Sequence, residues 1–309
     1  MFGRVLIMGV SINGDIRHDG RAWERGDGLR EAIGGMGENF SGACKARPVA
    51  STLGQPRQPV PHRNQRGKPM MKTIGLIGGM SWESTVPYYR LINEAMKERL
   101  GGLHSARIVL YSVDFHEIEQ LQRSGDWATA GQALAEAARR LQAAGADVLL
   151  ICANTMHKVA EAVEQAVDIP LLHVVDSTAR TIRAAGVRNV GLLGTRFTME
   201  QAFYTDRLRE HGLQVIVPNQ RDRDFVHRSI YEELCLGQFL DASREAYRRV
   251  IGELAQQGAE AVILGCTEIA LLVKPEHAAL PLFDTTRIHA LAAVDYALGS
   301  IEEGERGSH

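Results

Sequence analysis

The sequence predicts an α/β protein of two pseudo-symmetric, doubly wound parallel-sheet domains with an active site between them, and three observations carry that reading. Residues 145–157, GADVLLICANTMH, recur downstream as 258–268, GAEAVILGCTE. Each copy follows a helical pattern, breaks at a glycine and runs through apolar residues with no polar alternation, as a parallel strand buried on both faces does. Each run then ends in small polar side chains, which places them at the carboxyl end of a strand, where open α/β sheets bind ligands. Strand-helix alternation along the rest of the chain completes the class.

Residues 1–70 are rich in Gly, Arg and Pro, lack periodicity beyond a short apolar run at 5–10 and end in turn-forming GQPRQPVPHRNQRGKP. They read as a disordered or non-native leader. Domain 1 then spans 71–186. It holds a strand over 73–77, the loop GGMSWEST at 78–85, a helix to about 100, a strand over 107–113, a helix over 127–144, the strand of the first motif, a helix over 157–166, a fourth strand over 170–175 and a helix from 177. Domain 2 spans 187–299 and repeats the order with strands over 190–193, 214–217, 261–264 and 281–285; residues 300–309 form a tail. Thr198 and Gln201 are spaced as the N-cap and N3 of a capping box.

A formal charge of −2 gives no basic footprint for nucleic acid, and no apolar run approaches the roughly 20 residues that cross a bilayer. Four cysteines in a chain of this length do not read as a disulfide framework, so a reducing cytoplasm is the expected location. No His/Cys/Asp/Glu set has the spacing of metal ligands.

The loops at 78–85 and 194–198 place backbone N–H groups and hydroxyls at helix starts, a geometry that attracts carboxylates. Neither carries the Lys-Ser/Thr ending of a phosphate-binding loop. Cys266 stands at a strand end before Thr267 and Glu268, where a helix dipole is expected to lower the thiol pKa. Cys235 is expected to pack on a helix, Cys44 falls in the leader, and His157 either touches a ligand or caps a helix. A gap-free alignment of the two motifs sets Cys152 opposite Gly265 and Ala153 opposite Cys266.

The segments GGMSWEST, CANTMH and GCTEI resemble the aspartate/glutamate racemase family, and within it the broad-specificity bacterial amino-acid racemase branch. The similarity runs from 71 to about 299. It implies a cofactor-independent, usually dimeric racemase acting on an amino acid, with two thiols on opposite faces of the substrate Cα. Matching positions assign Asn154, Thr155, Thr195, Thr198, Thr267 and Glu268 to the substrate, and Met80 and Ser81 to a closing loop. Cys266 is one catalytic candidate. The family's other thiol position falls on Ala153, which can neither give nor take a proton, so Cys152 beside it is the second candidate, although neighbouring strand residues face opposite ways. A single-cysteine decarboxylase or isomerase, or an amino-acid-binding protein, is the alternative. Phe225 stands near the place where a lysine would help an acidic side chain, so either Arg221, Arg223 or Arg228 substitutes for it or the pocket accepts neutral side chains.

Overall fold

The computed structural model describes residues 71–299, and their strands fall into two parallel sheets. The leader at 1–70 with Cys44, and the tail at 300–309, lie outside the described residues. The first sheet comprises β1 (Ile74–Gly78), β2 (Ile108–Ser112) and β3 (Val148–Ile151) in the order β2-β1-β3. The second comprises β4 (Asn189–Gly194), β5 (Gln214–Ile216), β6 (Ala261–Gly265) and β7 (Leu282–Asp284) in the order β5-β4-β6-β7. Ile74 pairs with Val148 in the first sheet and Val190 with Ala261 in the second, so the two motif strands hold equivalent places beside the first strand of each half.

Around the sheets lie α1 (Trp82–Leu100), α2 (Phe115–Ser124), α3 (Trp127–Ala143), α4 (Ala160–Glu164), α5 (Val174–Ala184), α6 (Arg196–Glu200), α7 (Ala202–Glu210), α8 (Gln220–Glu232), α9 (Asp241–Gln256), α10 (Ile269–Leu272) and α11 (Thr285–Ala297). Among the described residues no helix is long and apolar enough to cross a membrane.

Four local expectations change. The fourth strand of the first half shrinks to a bridge at Leu171, held by Leu149 N to Pro170 O and Leu172 N to Leu149 O, both 2.9 Å. The chain leaves the sheet there because the His173 ring accepts from Val175 N at 3.2 Å and starts α5. The segment after β3 begins as a 3-10 turn, Thr155–Val159, before α4. The N-cap of α6 is Thr195, which accepts from Thr198 N, and Gln201 belongs to the start of α7. Finally, α2 begins where only a strand end is read; Asp114 caps it by accepting from His116 N at 2.9 Å.

Division of the chain near 186 separates the sheets but not the packing. Helix α5, from the first half, buries Val174, Val175, Ala179 and Ile182 in the core of the second sheet with Val190 and Leu192. Helix α11, from the second half, buries Ala290, Ala293, Val294 and Ala297 against Ile74, Leu76, Val148 and Leu150 of the first. Each half thus lends its last helix to the other, and α5 and α11 pack together between them. Burying each Val or Ile side chain in this exchange stabilises the joint by about 1.5–3 kcal/mol.

Candidate active site

The carboxyl ends of β3 and β6 meet at a small cavity of about 30 Å³, room for about two waters. Ala153 and Cys266, the two positions that the motif alignment pairs, both line it. Cys266 follows β6 directly and is 8 % exposed. Its Sγ donates to Glu268 Oε2 at 2.9 Å, and Thr267 Oγ1 donates to the same oxygen at 2.6 Å.

The other carboxylate oxygen of Glu268 is held from the first half. Ser81 Oγ donates to Oε1 at 2.9 Å and Ser84 Oγ at 2.5 Å. Ser81 is the N-cap of α1 yet makes no capping bond: its hydroxyl serves Glu268 instead of the helix. The turn that presents it depends on Gly79, whose φ is 91°, because a Cβ there would stand 2.2 Å from Val113 O. Gly79 N then donates to Thr85 Oγ1 at 2.8 Å, and Thr85 Oγ1 donates to Ser81 O at 3.1 Å.

These bonds fix the protonation states. Burial pushes the Glu268 carboxyl up, but the hydrogen bonds from Cys266, Ser84, Thr267 and Ser81 outweigh it and hold the group below its ordinary value. Burial and then the Glu268 charge push the Cys266 thiol well above its ordinary value. The expected lowering at a helix start is therefore corrected: α10 has only four residues, and a carboxylate rather than a cation stands beside the sulfur. The resting pair is a thiol donating to a carboxylate.

Across the cavity, Asn154 and Thr155 follow Ala153. Asn154 Oδ1 accepts from Tyr204 Oη at 2.8 Å and its Nδ2 donates to Thr285 Oγ1 at 3.0 Å, which donates on to Leu264 O at 2.8 Å. This chain ties the loop after β3 to the end of β6. Thr155 and Thr195 share a hydroxyl bond of 2.9 Å across the two halves. Thr195 needs close contact between β4 and β6: a Cβ on Gly194 would stand 2.8 Å from Gly265 O.

Of the residues assigned from sequence, Met80, Asn154, Thr155, Thr195, Thr267, Glu268 and Cys266 line the cavity. Ser81 reaches it through Glu268, and Thr198 is buried one step behind, 3.2 Å from Thr195 Oγ1. Cys152 is not brought in. It is fully buried in the core formed with Leu76, Tyr88 and Ile92, on the opposite face of the strand from Ala153, and burial raises its thiol pKa. His157 is also withdrawn: its Nε2 accepts from Val174 N at 3.2 Å, which leaves the Nδ1 proton for Ala153 O at 2.9 Å. That ring holds the loop rather than a ligand.

Five lining residues escape the sequence reading: Phe115, Gln122, Ile230, Tyr231 and Cys235. Cys235 Sγ lies 3.5 Å from Glu268 Oε1, so a residue expected only to pack sits beside the Cys266–Glu268 pair. None of Arg221, Arg223 and Arg228 lines the cavity; Arg223 is bound to Glu200 at 2.7 Å and to Pro218 O at 2.8 Å. Phe225 packs edge-on against Tyr247 at 5.4 Å.

Known proteins share this fold. The crystal structure of a candidate Asp/Glu racemase from Yersinia pestis is 61 % identical, with a TM-score of 0.69 over 74 % of this chain and 100 % of that one. An aspartate racemase homologue from Pyrococcus horikoshii is 36 % identical, with a TM-score of 0.65 over 74 % of this chain and 99 % of its own. The broad-specificity amino-acid racemase RacX of Bacillus subtilis is 24 % identical over 234 residues, covering 72 % of this chain and 96 % of its own. Residues 77–293 match the family model described as Asp/Glu/Hydantoin racemase, and the chain belongs to that family.

Proposed function

We propose that the protein is a cofactor-independent amino-acid racemase in which Cys266 and Glu268 act as one acid/base unit on the substrate Cα. The observation that carries this is the 2.9 Å bond from Cys266 Sγ to Glu268 Oε2 on the wall of the cavity. As the sulfur takes the α-proton, its own proton passes to Oε2, and the Cα–H electron pair stays on carbon. Hydroxyls of Thr155, Thr195 and Thr267 are the groups available to hold the α-carboxylate and stabilise that charge. The opposite face offers Ala153, the Asn154 amide and the Thr155 hydroxyl, none of them a strong acid. Return of a proton there draws on solvent, so inversion lags behind exchange.

The same alanine supports a second reading, in which Cys266 only protonates a carbanion formed by loss of another group, as in a decarboxylase. Incubation of the protein with each L- and D-amino acid, followed by chiral chromatography, separates the two. Formation of the opposite enantiomer is the expected result; no inversion and no α-proton exchange with any amino acid would sink the racemase reading.

A homodimer is part of the proposal. Trp82, Val86 and Tyr89 form an exposed apolar stripe on α1, and Leu110 on edge strand β2 is exposed as well. Light scattering at twice the chain mass is expected. The free thiols Cys152, Cys235 and Cys266 support a reducing, cytoplasmic location.

A further inference from the structure

A second, larger cavity of about 560 Å³ between α2 and α8 adjoins the first; the two share Phe115, Gln122, Tyr231 and Cys235, and Tyr231 Oη donates to Gln122 Oε1 at 3.0 Å where they meet. Phe115 and Tyr231 stack at 6.4 Å with an interplanar angle of 16°, one from each side of the cleft. Farther out stand Phe197 and His227, with ring centroids 6.2 Å apart. An amino acid whose Cα lies against Cys266 in a 30 Å³ cavity must send its side chain past this aromatic pair.

Among the described residues, the one cation that lines that path is paired. Glu268 is the single charged side chain that lines the inner cavity. In the outer cleft, Arg123 gives both Nε and Nη2 to Glu119 Oε1, at 3.0 and 2.7 Å, and Glu232 adds a further carboxylate. His227 is held neutral: burial lowers its pKa, and its Nδ1 accepts from Arg196 N at 3.2 Å. Exposed His116 lines the outer cleft only, with its Nε2 2.9 Å from Gln120 Nε2. A side-chain carboxylate would enter beside Glu268 with no cation of its own, and a buried unpaired charge is strongly disfavoured.

We infer that the substrate carries an uncharged apolar or aromatic side chain, lying against Phe115 and Tyr231 in the cleft between α2 and α8. This rests on the reading of the buried cavity as an amino-acid site, and it narrows the substrate to one class. Aromatic walls recognise such side chains by contact area and stacking.

The test is equilibrium binding by titration calorimetry of the full chain with L-methionine, L-leucine, L-phenylalanine, L-aspartate, L-glutamate and L-lysine, with α-proton exchange scored separately in heavy water. The neutral set is expected to bind at least about tenfold more tightly than aspartate and glutamate, a difference of roughly 1.4 kcal/mol. Phe115→Arg, which sets a guanidinium over the cavity mouth, is expected to reverse the order in favour of aspartate. Tightest binding of aspartate, glutamate or lysine to the native protein overturns the inference, as does binding of none. Binding of the neutral set without exchange overturns the racemase reading and leaves the side-chain assignment standing. Exchange with aspartate as the preferred substrate does the reverse.

Discussion

Cys266 and Glu268 are coupled so closely that neither titrates as a free side chain. The thiol is held up by burial and by the carboxylate beside it, while the carboxylate is held down by four donors. Replacing Cys266 by Ser keeps the shape but removes the acid, so α-proton exchange should fall by at least about a thousandfold, within the range typical of a lost acid/base. Cys152→Ala should leave exchange within about threefold, because that sulfur lies in the core; an equal loss in both variants would remove Cys266 from its special place. The pH profile is equally specific. Between about pH 6 and 9 the carboxylate stays ionised and the thiol stays protonated, so a proton relay gives a flat exchange rate that declines only as pH falls through the lowered Glu268 value. A rate climbing tenfold per pH unit across that window would mean that free thiolate is the base. Cys266 was legible in the sequence because the repeated motif marks a strand end. Its raised pKa was not, since that depends on how deeply the sulfur is buried and then on a carboxylate two residues on turning back toward it.

At the level of elements, the two motif strands were legible because a run such as Val148–Ile151, buried on both faces, has no polar alternation to confuse it. Helix α2 was legible too, in the Asp114-Phe-His-Glu117 spacing of a capping box, and missing it hid Phe115 and Gln122. The crossing of α5 and α11 left no such trace, because a repeat shows which segments correspond and not which core each one joins. That crossing encloses three histidines. His157 stands 4.5 Å from His173 and 5.8 Å from His289, whose Nε2 donates to Leu172 O at 2.7 Å and whose Nδ1 accepts from Tyr88 Oη at 2.9 Å. Burial holds all three neutral in the fold: it lowers His157 and His173 well below the ordinary range and His289 to about 3. The unfolded chain takes up protons near pH 6.5, so the stabilisation is complete above that value and is lost as pH falls below it. Each histidine contributes up to about 1.4 kcal/mol per pH unit in that window. The Tm is therefore expected to drop clearly between pH 7 and 5.5, and a constant Tm over this range would contradict the neutral cluster.

For the whole molecule, helix exchange makes the two halves one cooperative body and brings their strand ends together. Arg207 on α7 grips Asp176 on α5 through two bonds of 2.6 Å, and Tyr204, Asn154 and Thr285 join α7, the loop after β3 and the start of α11. The relatives of known structure match over nearly their full length while covering 74 % of this chain. A protein of residues 71–309 should accordingly unfold in a single transition and exchange the α-proton at the full rate; loss of that transition on truncation would show that the preceding residues are needed. In the proposed mechanism Cys266 is a one-sided acid/base, and Ala153 faces it across the substrate Cα. The most direct test of that mechanism is to follow α-proton exchange by NMR in heavy water, and inversion by chiral chromatography, on the same sample. Exchange with retention should outpace inversion in the native protein, and Ala153→Cys should raise the inversion-to-exchange ratio by at least about tenfold, the effect of roughly 1.4 kcal/mol of better proton delivery. Native inversion as fast as exchange, slowed sharply by Cys152→Ala, would contradict it.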